Sequence, residues 1–196
     1  MVRSGSYMAG NVLPVLSDVT IYRPAMADPA NRRLGVFPGS FDPLTTAHLA
    51  IVDVAIEQCR LDRLDLVLSR SALAKDPHGH SPIETRVAAI EQLSAERPAV
   101  RAATTDRQLI ADLAEGYDLC VLGADKWHQL YDLSFYDGSR ARRDAALERL
   151  PVLAVAPRLG VASPPPGPTV VLLEIDPRFQ EVSSTAVRAG RLEWRA

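Results

Sequence analysis

The feature that most constrains the fold is an alternation, starting at Leu34, of short apolar runs with segments of helical composition. This alternation predicts βαβ units, which assemble into a doubly wound parallel sheet with helices on both faces. We therefore expect one α/β domain with five to six strands. The predicted strands are apolar on both faces, as buried parallel strands are, and they are Leu34–Pro38, Leu64–Ser69, Ala99–Ala103, Leu119–Gly123, Val152–Ala156 and Val170–Ile175.

The segments between these strands predict four helices, Ala47–Cys59, Ile83–Ala95, Asp106–Ala114 and Ser139–Leu150, with Asp106 and Ser139 as N-caps. Residues 1–33 mix Ser, Gly, Pro and Asn and are interpreted as an extension, partly disordered or docked as an arm, that precedes a domain over 34–196. The proline-rich segment Ser163–Pro168 predicts a surface loop before the sixth strand.

Charge and cysteine content narrow the functional classes. Twenty-two Lys+Arg against 24 Asp+Glu give a net charge of -2, so no global basic field attracts nucleic acid or an anionic membrane. Cys120 lies in an apolar run and predicts a buried reduced thiol, while Met1–Thr20 lacks a secretory signal. We expect a cytoplasmic protein that acts on small molecules, and apolar positions in Leu130–Tyr136 favour a subunit contact in a homo-oligomer.

The turn after the first strand is the first candidate site, because open parallel sheets bind ligands beyond the carboxyl ends of their strands. Gly39 permits close backbone approach to a phosphate and a positive φ, and a helix follows the turn directly. Thr45 and His48, three residues apart, share one face of its first turn and can contact the same phosphate. The alternative is that Thr45 is only an N-cap and His48 only a surface residue.

Two motifs at opposite ends of the domain resemble those of the nucleotidyltransferase superfamily, the cytidylyltransferase-like proteins. The first is Gly39-Ser40-Phe41-Asp42-Pro43 followed by Thr45-Thr46-Ala47-His48, and the second is Val182-Ser183-Ser184-Thr185-Ala186-Val187-Arg188. The resemblance spans about four-fifths of the chain and implies a Rossmann-like fold. It also implies that Gly39, Ser40, Phe41, Asp42, Ser183, Ser184 and Thr185 bind nucleotide, and that Arg188 neutralises phosphates.

A third segment, Gly123-Ala124-Asp125, resembles that of the nicotinate and nicotinamide mononucleotide adenylyltransferases, which implies that Gly123 and Asp125 shape the nucleotide pocket. Trp127 follows it and is a candidate to stack on the acceptor ring, the alternative being ordinary packing. Lys75 is similar to the family's phosphate-binding lysine, although a loop lysine is equally often solvated. His78 and His80 lack an obvious third ligand, so no protein metal site is predicted.

The reaction implied by the resemblance transfers AMP from ATP, normally with Mg²⁺, to a phosphorylated acceptor and releases pyrophosphate. Catalysis then depends on positioning and charge stabilisation, with Thr45 as a catalytic contact and His48, Lys75 and Arg188 as cations. The segment around Asp125 favours nicotinate or nicotinamide mononucleotide as acceptor, in NAD biosynthesis. Thr45, where those enzymes usually have histidine, favours phosphopantetheine, in coenzyme A biosynthesis.

Two departures leave further alternatives open. Ala47 stands where the family has glycine and predicts a narrower nucleotide pocket. Together with Thr45 it also permits a catalytically degenerate nucleotide-binding module, and the proline-rich loop permits an unfamiliar acceptor. A class I aminoacyl-tRNA synthetase fragment is disfavoured, because Ser183-Ser184-Thr185 replaces a lysine-rich motif and no basic stripe is present.

Overall fold

The computed structural model describes residues 32–70 and 81–196, which form one six-stranded sheet. All strand pairs are parallel, in the order β3-β2-β1-β4-β5-β6. The strands are β1 Leu34–Pro38, β2 Arg63–Ser69, β3 Val100–Thr105, β4 Leu119–Gly123, β5 Val152–Ala156 and β6 Val170–Leu172. The helices are α1 Thr46–Cys59, α2 Ile83–Glu96, α3 Ile110–Leu113, α4 Ala124–Gln129, α5 Arg140–Glu148 and α6 Ser184–Arg188.

The core lies on both faces of the sheet, which confirms the doubly wound architecture. Neighbouring residues of β4 alternate between two clusters: Leu119 and Val121 pack with α1 and α2, whereas Cys120 and Leu122 pack on the opposite face. Strand order reverses between β1 and β4, since β1 pairs with both β2 and β4. The carboxyl ends of these two strands are therefore the switch point where this architecture binds ligands.

The predicted third helix is wrong over its first half. Asp106 is not an N-cap, and α3 begins only at Ile110, after the extended residue Leu109. The Thr105 hydroxyl accepts a hydrogen bond from the Arg107 N–H at 3.2 Å, and the Ser69 hydroxyl donates to the Arg107 carbonyl at 2.7 Å. These bonds occupy backbone groups that the predicted helix needs.

The sixth strand is shorter than predicted and ends at Leu172 rather than Ile175. The side-chain amide of Gln58, on α1, donates to the Leu172 carbonyl at 2.8 Å and accepts from the Glu174 N–H at 3.0 Å. A side chain thus pairs with the outer edge of the sheet where another strand would otherwise be needed.

Other predictions have mixed outcomes. Ser139 caps α5, and both Cys59 and Cys120 are buried thiols, as expected for Cys120.

Helix α4 was not predicted from the sequence, because its six residues are too few for a periodic pattern. Leu130 and Tyr136 are buried and cannot take part in the predicted subunit contact, whereas Tyr131 is 48% exposed, and the homo-oligomer stays a prediction. None of the helices in 32–70 and 81–196 combines the length and apolar character needed to cross a bilayer.

Candidate active site at the switch point

The turn after β1 is packed more tightly than its sequence suggests. A side chain on Gly39 would come within 2.6–2.9 Å of the Phe41 ring, so the glycine makes room for that ring. The positive φ expected at Gly39 occurs instead at Phe41, at 45°. Phe41 is 1 % exposed and stacks edge-on against Phe37 and His48. The Phe41 ring therefore packs against His48, and the predicted nucleotide contact of Phe41 stays a prediction.

Asp42 also faces inward. It is 2 % exposed, and its carboxylate accepts a hydrogen bond from the Ser81 N–H at 3.0 Å. Arg86, on α2, donates to the carbonyls of Ser40 and Ser81, both at 3.1 Å. The Asp42 carboxylate thus joins this turn to the residue before α2, and the predicted nucleotide contact of Asp42 stays a prediction. Ser40 is joined to the same helix through its backbone, and its predicted role stays a prediction.

Thr45 and His48 form a capping box at the start of α1. The His48 N–H donates to the Thr45 hydroxyl oxygen at 3.4 Å, and the Thr45 N–H donates to His48 Nδ1 at 3.1 Å. Because a backbone N–H can only donate, Nδ1 accepts, and the proton of the neutral ring lies on Nε2. The two residues share a face as predicted. Thr45 itself is fully buried as the N-cap, and the cap fixes which ring nitrogen of His48 donates.

His48 is neutral at physiological pH. Burial, together with a smaller effect of the positive charge of Arg158, lowers the pKa of its ring from 6.5 to about 4. The expectation that His48 is a cation is therefore wrong. What it offers is an uncharged Nε2–H donor, which keeps its proton over the whole neutral range.

The second motif lies directly against the first, although they are about 140 residues apart in sequence. The Ser184 hydroxyl donates to the Pro43 carbonyl at 2.8 Å, and the Arg188 guanidinium donates to the Asp42 carbonyl. Arg188 also donates to the Thr185 hydroxyl at 3.3 Å. The two segments therefore lie side by side at this edge of the sheet. Part of their polar chemistry, however, is used to hold them together.

Ser183 and Thr185 keep their hydroxyl protons. The Ser183 hydroxyl oxygen accepts from the Ala186 N–H at 3.1 Å, capping α6, and the Thr185 hydroxyl accepts from Arg188, so both protons stay available. Ser184, by contrast, donates its hydroxyl proton to the Pro43 carbonyl. Ser183 and Thr185 are therefore better placed than Ser184 to donate to a phosphate.

The segment after β4 joins this assembly through a residue that the sequence analysis missed. Asp125 folds back over Gly123, where an added side chain would meet its carboxylate oxygen at 2.5 Å. Asp125 lies 3.9 Å from Nε of Arg158, and Arg158 donates to the Val182 carbonyl at 2.8 Å. Arg158 follows β5 by two residues. The sequence could have indicated Arg158 as a site residue, because it is a basic residue just beyond the carboxyl end of a predicted strand.

The Trp127 side chain packs against neighbouring side chains of the protein. It lies partly buried against the second core cluster and contacts His128 and Tyr131 edge-on, with ring centroids 4.9 and 5.1 Å away. The packing alternative raised for Trp127 accounts for these contacts, and its acceptor-stacking role stays a prediction. Lys75, His78 and His80 lie outside the described residues. Among residues 32–70 and 81–196, no group of three or more His, Cys, Asp or Glu side chains is arranged to hold a metal ion.

A parallel sheet whose first and last motifs meet at the switch point is an arrangement of the Rossmann-like class. The comparison with known families agrees, since the sequence model of the cytidylyltransferase-like family matches residues 36–190. The chain belongs to the cytidylyltransferase-like family.

Individual relatives are more distant. The chain is 33% identical over 66 residues to the probable nicotinate-nucleotide adenylyltransferases of Syntrophotalea carbinolica and Gluconacetobacter diazotrophicus. These alignments cover 34% of this chain and 30% and 31% of the two relatives, so the chain matches less than a third of their length.

Solved structures share the fold over most of the chain. The Plasmodium falciparum nicotinic acid mononucleotide adenylyltransferase complexed with APC aligns with a TM-score of 0.58 at 12% identity, covering 81% of this chain and 83% of that one. The same protein complexed with NaAD gives 0.57 at 13% identity with the same coverage. At this identity the likeness concerns the fold, including the parallel sheet and its switch point.

Proposed function

We propose that this chain is an adenylyltransferase that moves AMP from ATP to the phosphate of a pyridine mononucleotide and releases pyrophosphate. The observation that carries the proposal is the direct contact of the two motifs at the switch point, through Ser184 with Pro43 and Arg188 with Asp42. This contact brings the donor His48 and the hydroxyl of Ser183 to one edge of the sheet. The names of the relatives support the adenylyl group and the pyridine acceptor.

The proposed reaction needs no protein nucleophile. An oxygen of the acceptor phosphate attacks the α-phosphorus of ATP, a new P–O bond forms, and the bond to pyrophosphate breaks. Negative charge grows on the equatorial and leaving oxygens. His48 Nε2–H and the Ser183 hydroxyl are donors that stabilise such charge without exchanging protons.

Magnesium fits this site as part of the nucleotide rather than as a protein-bound ion. Of the carboxylates near the site in residues 32–70 and 81–196, that of Asp42 is buried and accepts a hydrogen bond from the Ser81 N–H, and that of Asp125 lies near the positive charge of Arg158. We therefore take ATP to enter as its magnesium complex, in which Mg²⁺ neutralises phosphate oxygens.

The two departures from the family pattern do not decide the acceptor. Thr45 is fully buried, and its hydroxyl is used by the capping box, so it gives no support to phosphopantetheine. Ala47 is 2 % exposed, so its methyl group faces the protein interior, which gives no support to a narrowed pocket. The choice of a pyridine mononucleotide therefore depends on the relatives and on the segment around Asp125.

The test is an acceptor panel. Purified protein is incubated with ATP or CTP, Mg²⁺ and one of nicotinate mononucleotide, nicotinamide mononucleotide or phosphopantetheine, and pyrophosphate release is measured. Release is expected with ATP and a pyridine mononucleotide, and none is expected without an acceptor. Release with phosphopantetheine alone would reassign the acceptor, and release with CTP alone would reassign the nucleotide. Binding of ATP with no release for any acceptor would identify a nucleotide-binding module instead.

A further inference from the structure

Arg158 occupies the junction of the three segments that make up the site. Its guanidinium donates to the carbonyl of Val182, the residue just before Ser183, and lies 3.9 Å from the Asp125 carboxylate. Its positive charge acts on His48 strongly enough to lower the pKa of that ring. One side chain from the end of β5 thus reaches the segment after β4, the second motif and the start of α1.

The site has one cation fewer than the motifs predict, because His48 is neutral. Arg188 remains a cation and, after donating to the Asp42 carbonyl and the Thr185 hydroxyl, keeps three of its five N–H groups. Arg86 donates to two backbone carbonyls. Two phosphorylated substrates repel one another, so a positive charge with unspent donors is required where they meet.

Arg158 has such donors. A guanidinium carries five N–H groups in a planar fork, and the Val182 carbonyl takes one of them. The Arg158 Nε and the Asp125 carboxylate oxygen are 3.9 Å apart, which is longer than a hydrogen bond. The carboxylate therefore balances the charge of Arg158 but does not occupy its remaining N–H donors. The side chain is 27% exposed, which leaves it accessible from solvent. A bidentate contact with phosphate oxygens suits this geometry.

We propose that Arg158 binds the phosphates of the nucleoside triphosphate and stabilises the departing pyrophosphate. When the nucleotide binds, the guanidinium leaves the Asp125 carboxylate and contacts the phosphate oxygens instead. This assignment rests on the proposed function. It adds a cation for the phosphates outside both sequence motifs, two residues after the end of β5.

Binding measurements test the proposal separately from the activity. Dissociation constants for ATP, pyrophosphate and adenosine are measured by calorimetry for the unmodified protein, R158Q, R158K and R149Q. Arg149 forms an ion pair with Asp112 elsewhere on the molecule, so R149Q removes the same charge away from the site. We expect R158Q to weaken ATP and pyrophosphate at least tenfold and to leave adenosine within twofold. R158K should recover part of the loss, and R149Q should match the unmodified protein.

Three outcomes would overturn the proposal: pyrophosphate and ATP affinities unchanged in R158Q, equal losses for ATP and adenosine, or no pyrophosphate binding to the unmodified protein. Equal losses would mean that Arg158 only holds the Val182 backbone. Should R158Q unfold, the unmodified protein provides the test: the Nε–H signal of Arg158 should shift on addition of pyrophosphate, and a signal that stays fixed would refute the contact. If pyrophosphate binds through Arg158 but no acceptor is adenylylated, the proposed function fails while this assignment stands.

Discussion

At the scale of single residues, His48 shows how a structural bond sets a chemical property. Its Nδ1 accepts the Thr45 N–H, so its neutral ring must carry the proton on Nε2. The same ring rests edge-on against Phe41. Nδ1 of His48 therefore helps to cap the start of α1, and its Nε2–H remains a hydrogen-bond donor.

Replacing His48 in two ways separates these roles. In H48N the side-chain oxygen can accept the Thr45 N–H, but the distal donor is lost, whereas H48A loses both. We expect both variants to lower kcat about 100-fold or more, with little change in KM for ATP, because one donor to developing charge is worth about that much. H48A should also lose about 1 kcal/mol of unfolding free energy through the missing cap. Steady-state kinetics and urea unfolding measure both effects, and an unchanged kcat in H48N would remove His48 from the reaction.

Spacing predicted that Thr45 and His48 share a helix face, but not the charge state of His48. That state depends on burial and on Arg158, which lies 110 positions further along the chain. The positive φ was likewise expected at Gly39, because glycine tolerates it best. The structure gives it to Phe41, whose ring fills the space that the glycine leaves. A residue far along the chain decided the first point, and packing within the turn itself decided the second.

At the scale of secondary-structure elements, strand positions were predictable and ends were not. β4 and β5 match their predictions residue for residue, because each is an apolar run buried on both faces. The ends of β6 and α3 were wrong, since Gln58, Ser69 and Thr105 bond to the backbone there. Composition carries no trace of such bonds between sequence-distant partners.

The Gln58 amide offers a direct test at this scale. Q58L removes the bonds to the Leu172 carbonyl and the Glu174 N–H, so we expect the unfolding free energy to fall by about 1–2 kcal/mol. Hydrogen exchange at the Glu174 amide should accelerate, while the Leu173 amide, bonded to Val155 inside the sheet, should change less. Gln92 is exposed on α2, and Q92L is the matched control. Equal exchange at Glu174 in Q58L and the unmodified protein would contradict this account of the strand end.

At the scale of the whole molecule, the parallel sheet itself makes the site foreseeable. Parallel strands present all their carboxyl ends on one edge, so motifs that follow β1 and β4 meet there however far apart they lie in sequence. The approach of α6 to the same edge was predicted only through the resemblance. The structure shows its physical basis in the contacts of Ser184 and Arg188 with the first turn.

The buried His48 also couples global stability to pH. Its pKa is about 4 in the folded chain and 6.5 without burial, so between these values the unfolded chain binds a proton that the folded chain does not. This contribution is complete above pH 6.5 and is lost as the pH falls towards 4. The slope approaches about 1.4 kcal/mol per pH unit, and the total is at most about 3 kcal/mol.

Comparison with H48N isolates this contribution, because every other titrating group is common to both proteins. In urea titrations between pH 4.5 and 7.5, the unfolding free energy of the unmodified protein should fall faster than that of H48N as the pH falls. In parallel, the ring signals of His48 should titrate near pH 4 in the folded protein. If the difference between the two proteins stays constant across this range, His48 titrates normally. A normally titrating ring would take up a proton near pH 6.5, so the site would not keep a neutral donor below that value.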